Sequence, residues 1–258
     1  MVINKSSVSN ETELLGYLKQ QTKDNKRLYH YTSFDSLLYI LKGKAFRLTR
    51  TDLLNDRKEK DFSGKHDYYV MSMTGDKEYV SMWSMYGKKS GIKIRIDFPL
   101  NLFEKCFVEQ NIYSDGECKT RYYSSTKRLF DPSPSPTIEK CAIRDVVYLN
   151  KARTQYIHNE KPFPSIKASE PGIEELAGFI KYDAWEFERE TRARVYCDPY
   201  NKDGDHVFVA LSDELISDIR VTFNPWISDS MKDEMSAILA KRGIMSRNSG
   251  FDGQVDEL

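Results

Sequence analysis

One charged run, Trp185-Glu186-Phe187-Glu188-Arg189-Glu190-Thr191-Arg192-Ala193-Arg194-Val195-Tyr196, constrains this chain more than any other segment. Read as a β-strand, its side chains alternate between two faces. Phe187, Thr191, Ala193 and Val195 share one face, and Glu188, Glu190, Arg192, Arg194 and Tyr196 share the other. Two carboxylates and two guanidiniums in one row are costly to bury, so that face is expected to line water, a cleft or a ligand. Two arrangements satisfy this expectation. One is a solvated outer face with cross-strand ion pairs. The other is a catalytic carboxylate pair in a cleft.

The rest of the chain can build a core around such a strand. Its 258 residues are 40% hydrophobic and 12% aromatic, enough for one large domain or two small ones. Lys plus Arg equals Asp plus Glu, 39 each, which argues against coating nucleic acid by bulk charge and leaves only local basic patches. No apolar run approaches the ~20 residues of a membrane span. Met1-Val2-Ile3-Asn4-Lys5 has no signal-peptide core, so a cytoplasmic location is expected. Cys106, Cys118, Cys141 and Cys197 lack a Cys-x-x-Cys pair and read as reduced thiols. Val255-Asp256-Glu257-Leu258 resembles a retention tail and reads as chance without a signal peptide.

Hydrophobic spacing gives the expected elements. Asn10-Glu11-Thr12-Glu13 reads as the cap of an N-terminal helix within residues 1–26. Strands are expected at 27–32, 45–49, 68–73, 92–98, 142–149, 187–197, 206–211 and 218–223. Helices are expected after Thr32 or Ser33 up to Gly43, at 78–86, at 173–181 and after Ser228 up to Gly243. Ile92, Ile94, Ile96 and Phe98 alternate with Lys93, Arg95 and Asp97, the pattern of a half-buried strand. Residues 114–140, with Pro132, Pro134 and Pro136 among serines, read as a long loop or insertion, and 244–258 as a flexible tail. Strands come in groups, so the expected fold is a single α+β domain over 27–243, with a mixed or antiparallel sheet and flanking helices.

Common chemical signatures are missing. There is no Gly-x-x-x-x-Gly-Lys-Ser/Thr loop, no Gly-x-Gly-x-x-Gly turn and no Gly-x-Ser-x-Gly elbow. His30, His66, His158 and His206 lack metal-site spacing. His30, in Leu28-Tyr29-His30-Tyr31-Thr32, reads from its setting either as a core histidine or as a functional one.

Several blocks together resemble a bacterial family called domain of unknown function 2971. They are Leu28-Tyr29-His30-Tyr31-Thr32, Ser36-Leu37-Leu38-Tyr39-Ile40-Leu41 and Leu53-Leu54-Asn55-Asp56, then Val70-Met71-Ser72-Met73-Thr74, Met82-Trp83-Ser84-Met85-Tyr86-Gly87, Gly91-Ile92-Lys93-Ile94 and Trp185 to Arg192. A weaker resemblance is to the ADP-ribosyltransferase superfamily, small α+β enzymes that split NAD in a cleft. His30, Tyr86 and Glu190 follow the order of its histidine-tyrosine-glutamate pattern, and Ser72-Met73-Thr74 resembles the serine-x-serine strand of another branch.

The second resemblance implies an enzyme that uses NAD as substrate to modify a macromolecule, as bacterial toxins and phage-defence effectors do. Glu190 would stabilise the positive charge that builds on the ribose, and Glu188 would position the acceptor. His30 would bond the adenosine-side ribose, Tyr31 or Tyr86 would stack on nicotinamide, and Ser72 would line the site. Arg50 or Arg192 would pair with the pyrophosphate. The spacing alone also allows Tyr86 to pack with Tyr79, Met82 and Trp83, and Arg192 simply to pair with Glu190. Nucleic acid is the favoured acceptor over protein, through Lys42, Lys44, Arg47 and Arg50, or through Lys119, Arg121, Tyr122, Tyr123, Lys127 and Arg128. An antitoxin is a further expected partner. Two alternatives stand beside this expectation: a non-enzymatic nucleotide- or partner-binding module, and a Mg²⁺ nuclease using Glu188, Glu190 and Asp56.

Overall fold

A computed structural model describes residues 27–54, 68–75, 78–87, 92–108, 110–114, 117–123, 128–129, 142–149, 178–196 and 205–255. In chain order the elements begin with β1 (Arg27–Ser33), α1 (Phe34–Gly43), β2 (Ala45–Arg50), β3 (Tyr68–Thr74), α2 (Val80–Gly87), β4 (Lys93–Pro99) and α3 (Leu100–Val108). Next come β5 (Gln110–Ser114), β6 (Glu117–Tyr123), β7 (Arg128–Leu129), β8 (Ala142–Asp145), β9 (Val147–Leu149), β10 (Ile180–Tyr182) and β11 (Glu190–Tyr196). The last are β12 (His206–Ala210), α4 (Asp213–Ser217), β13 (Arg220–Phe223), α5 (Asp229–Ala240) and β14 (Met245–Arg247). Two short 3-10 stretches cover Thr51–Leu53 and Asp183–Glu188. The fold is α+β with mostly antiparallel strand pairing, as expected. The chain forms two compact units. One takes in Met1–Asp24, Arg47–Ser72 and Phe107–Phe208, and the other Asn25–Phe46, Met73–Cys106 and Val209–Leu258.

In the second of these units β4 runs antiparallel to both β1 and β13, and β14 joins β13 in parallel. The register pairs His30 with Ile96, Thr32 with Ile94 and Val221 with Ile96 on one face. Phe46, Phe98 and Phe103 pack together at centroid distances of 4.9 to 5.6 Å. The opposite face of β4 is buried as well, which corrects the half-buried reading. Asp97 is buried because Arg27 Nε donates to it at 2.6 Å and Arg247 Nη2 at 3.1 Å. Arg95 is buried against the Tyr29 ring, 4.6 Å from its centroid. Paired polar groups can occupy positions that periodicity assigns to solvent.

Helix α1 starts where Ser33 Oγ accepts from the Ser36 N–H, and ends with Lys44 in the left-handed region at φ 47. Helix α5 buries Met235 and Leu239, while Met231 is exposed. Lys232 is buried instead, its Nζ held by Asp252 and Asp229. That latch, the bond from Trp226 Nε1 to the Val255 carbonyl, and the pairing of β14 give defined structure to residues 245–255, which were expected to form a loose tail.

In the other unit β2 pairs antiparallel with β3, and β11 pairs with both β3 and β8. The expected strand at 142–149 is two strands: β8 is antiparallel to β11, and β9 is parallel to β10. Ile180–Tyr182 is strand rather than the end of a helix, and residues 173–177 lie outside the described set. Part of the expected loop at 114–140 is also strand, with β6 pairing to β5 and β7. Glu117–Tyr123 mixes cations with aromatics and carries no apolar alternation to announce a strand.

Candidate active site

Glu188 and Glu190 come together by a route that simple alternation misses. Glu188 ends the 3-10 helix Asp183–Glu188, and Glu190 opens β11. Between them Arg189 takes the left-handed conformation at φ 43, and its N–H donates to the Glu186 carbonyl at 3.1 Å. The strand expected from Phe187 therefore starts three residues later, and Phe187 is 38% exposed instead of inward. The two carboxylates still converge, on Lys181 of β10. Its Nζ donates to Glu188 Oε2 at 2.5 Å and to Glu190 Oε2 at 3.4 Å. It also lies 4.9 Å from the centre of the Trp185 ring.

Arg192 holds Glu190 from the other side. Its Nε donates to Oε1 at 2.5 Å and its Nη2 to Oε2 at 2.9 Å, a two-point grip that fixes the carboxylate plane. Its Nη1 donates to the Gly178 carbonyl at 2.9 Å. Gly178 sits at φ +77, and a Cβ there would lie 3.4 Å from both Arg194 Cδ and Val70 Cγ1. A side chain at 178 would strain the backbone that presents this carbonyl. The Glu190 N–H donates to Tyr148 Oη at 2.8 Å, and Thr191 Oγ1 donates to Asp145 Oδ1 at 2.5 Å. Arg194 lies between the rings of Tyr68 and Phe179, at 4.8 and 4.6 Å.

The charged face is buried, which corrects the expectation that it lines water or an open cleft. Glu188 is 3% exposed, Glu190 4%, and Arg192 and Arg194 1% each. Two carboxyl groups face one lysine and one arginine, so with both carboxyls ionised the inner cluster is electrically balanced, the condition under which such groups can leave water. Burial pushes the Glu190 carboxyl up, to about 7; the Lys181 ammonium opposes the rise, and the Glu188 carboxylate adds to it. For Lys181 burial works against the charged form, and the Glu190 and Glu188 carboxylates outweigh it, so its pKa is raised. Burial also raises the Tyr148 hydroxyl, with the Glu190 carboxylate adding to the effect.

Ser72 reaches this cluster from β3. Its hydroxyl hydrogen-bonds Glu190. Tyr68, Tyr69, Val70, Met71, Met73 and Thr74 are all buried, and Ser72 alone in that strand is exposed. The other expected site residues have their own settings. His30 is half-buried in β1, 6.4 Å from the Phe46 ring. Tyr31 meets Trp83 edge-on at 4.8 Å, and burial raises its hydroxyl pKa. Met82 and Trp83 of α2 are buried, and Tyr86 is 40% exposed. Arg50 pairs with Asp52 at 2.7 Å and with Asp205 at 3.3 Å. Lys44 pairs with Asp213 at 2.6 Å. Asn55, Asp56 and Lys127 lie outside the described residues.

Sequence reasoning missed Lys181, Tyr148, Asp145 and Gly178. The one available signal was a lone lysine within Phe179-Ile180-Lys181-Tyr182, an apolar setting that asks for a buried carboxylate partner. Among the described residues no three His, Cys, Asp or Glu side chains cluster as a metal-ligand set. No protein-family model, curated protein or solved structure matches this chain.

Proposed function

We propose that this chain is an NAD-dependent enzyme like the ADP-ribosyltransferases, modifying a macromolecule, with Glu190 as the carboxylate that stabilises the developing ribose cation. The observation that carries the reading is the contact between exposed Ser72 and buried Glu190. It gives the buried carboxylate a polar neighbour on the β3 side, and Arg192 fixes its plane. When the nicotinamide-ribose bond breaks, nicotinamide leaves with the bonding electrons. A nucleophile on the acceptor then captures the ribose carbon and loses a proton. A preset carboxylate lowers the barrier because its charge needs no reorganisation at that moment. Glu188, bound to the same ammonium, is the acceptor-side carboxylate in this reading. His30, Tyr31 and Tyr86 are assigned to NAD by the resemblance alone. A toxin or phage-defence role, and nucleic acid ahead of protein as acceptor, belong to the same proposal.

A second reading has a specific observation behind it. Glu190 is almost fully buried and its oxygens are taken up by Arg192 and Lys181, as in a purely structural ion cluster. On that reading the fold is a nucleotide- or partner-binding module without catalysis. Incubating the protein with NAD and following released nicotinamide separates the two. Release that disappears in a folded Glu190→Gln variant supports the enzyme. Binding of NAD without release supports the module.

A further inference from the structure

Tyr39, in the middle of α1, is 75% exposed, the most exposed large hydrophobic side chain among the described residues. It borders a crevice of about 680 Å³ lined by Leu38, Leu41, Ile216 and Ile244. Asp35 and Lys42 complete its α1 side. They lie two turns apart on one face of the helix, roughly 10 Å along its axis at ~1.5 Å per residue. Asp35 is in the first turn, Lys42 is in the last, and neither makes an ion pair within the described residues. Arg242, also on the crevice, is engaged with the Ile238 carbonyl at 3.1 Å.

This face is self-complementary under a two-fold axis. Across a two-fold axis perpendicular to it, a helix runs antiparallel to its own copy, so each end meets the opposite end. An acid at one end, a cation at the other and an apolar centre satisfy that operation with two identical ion pairs. The axis would pass between Leu38 and Tyr39, midway from Asp35 to Lys42. Each Tyr39 then projects toward the apolar crevice of the other copy. Tyrosine gives a large contact area at small entropic cost, and such residues carry much of the energy of interfaces. The ion pairs at the rim set the register more than the affinity.

We infer that α1 is the contact face of a two-fold homodimer, with Tyr39 of each copy seated in the crevice of the other and Asp35 facing Lys42 of its partner. The inference is independent of the NAD reading. The test is sedimentation equilibrium of the full chain across micromolar to sub-millimolar concentration, with circular dichroism to check folding. Wild type is expected to show a monomer–dimer equilibrium. Tyr39→Ala, Asp35→Lys and Lys42→Asp should each weaken it, by about tenfold for the charge reversals. An equimolar mixture of the Asp35→Lys and Lys42→Asp chains should associate about as well as wild type, because every facing pair is then opposite in sign. A wild type that stays monomeric overturns the inference. So does a dimer indifferent to Tyr39→Ala, or a mixture no tighter than either reversed chain alone.

Discussion

At the residue scale the proposed chemistry depends on the proton of Glu190. Burial lifts its carboxyl from the ordinary 4.5 to about 7, so the folded protein keeps a proton that the unfolded chain has already released. The stability contributed by this group is fully present below about pH 4.5 and is lost as pH rises through about 7. Denaturant midpoints should therefore fall with pH across that window in wild type, and fall less in Glu190→Gln. If the ionised carboxylate stabilises the ribose cation, NAD cleavage should rise over the same window. Parallel midpoint curves for the two proteins would contradict the assignment. Arg192 offers a second check. Replacing it with Met leaves a buried carboxylate without its two-point partner and should cost about 3 kcal/mol or more. The Glu190→Gln/Arg192→Met double variant should lose less than the two singles combined, because the groups form one network. A loss under about 1 kcal/mol on urea denaturation of Arg192→Met would mean the grip is slack.

At the element scale, the segment before β11 explains both what was legible in the sequence and what was not. The apolar alternation of β4 and the cap-to-glycine span of α1 were readable because local spacing dictates them. The carboxylate pair was readable as a pair, since Glu188 and Glu190 do converge. Its setting was not. The left-handed turn at Arg189 replaces strand by 3-10 helix, and nothing in the identity of arginine signals that conformation. Burial of the face depended on Lys181 arriving from a segment whose own pattern suggested helix. The end of α1 yields a prediction. Lys44 is held at φ 47, which glycine adopts without a Cβ penalty, and its bond to Asp213 is exposed and worth little. Lys44→Gly should leave stability unchanged or raise it by up to about 1 kcal/mol by thermal denaturation. A clear loss would show that the ion pair outweighs the backbone strain.

At the scale of the whole molecule, charge bears on the proposed acceptor. The chain carries 39 basic and 39 acidic residues, so any attraction to nucleic acid must come from a local patch. Two members of one expected patch, Lys44 and Arg50, are already paired with acids. Among the described residues no helix is long and apolar enough to cross a membrane. If Glu190 makes this molecule an NAD-consuming transferase, as proposed, its loss must abolish the transfer of label from NAD. Wild type and Glu190→Gln are incubated with NAD labelled in its adenylate half, together with RNA, DNA and protein from cell extract. Wild type is expected to put label on a macromolecule, and a folded Glu190→Gln to lose labelling at least ~10²-fold. Equal labelling by the two proteins, or none by wild type, would contradict the proposal.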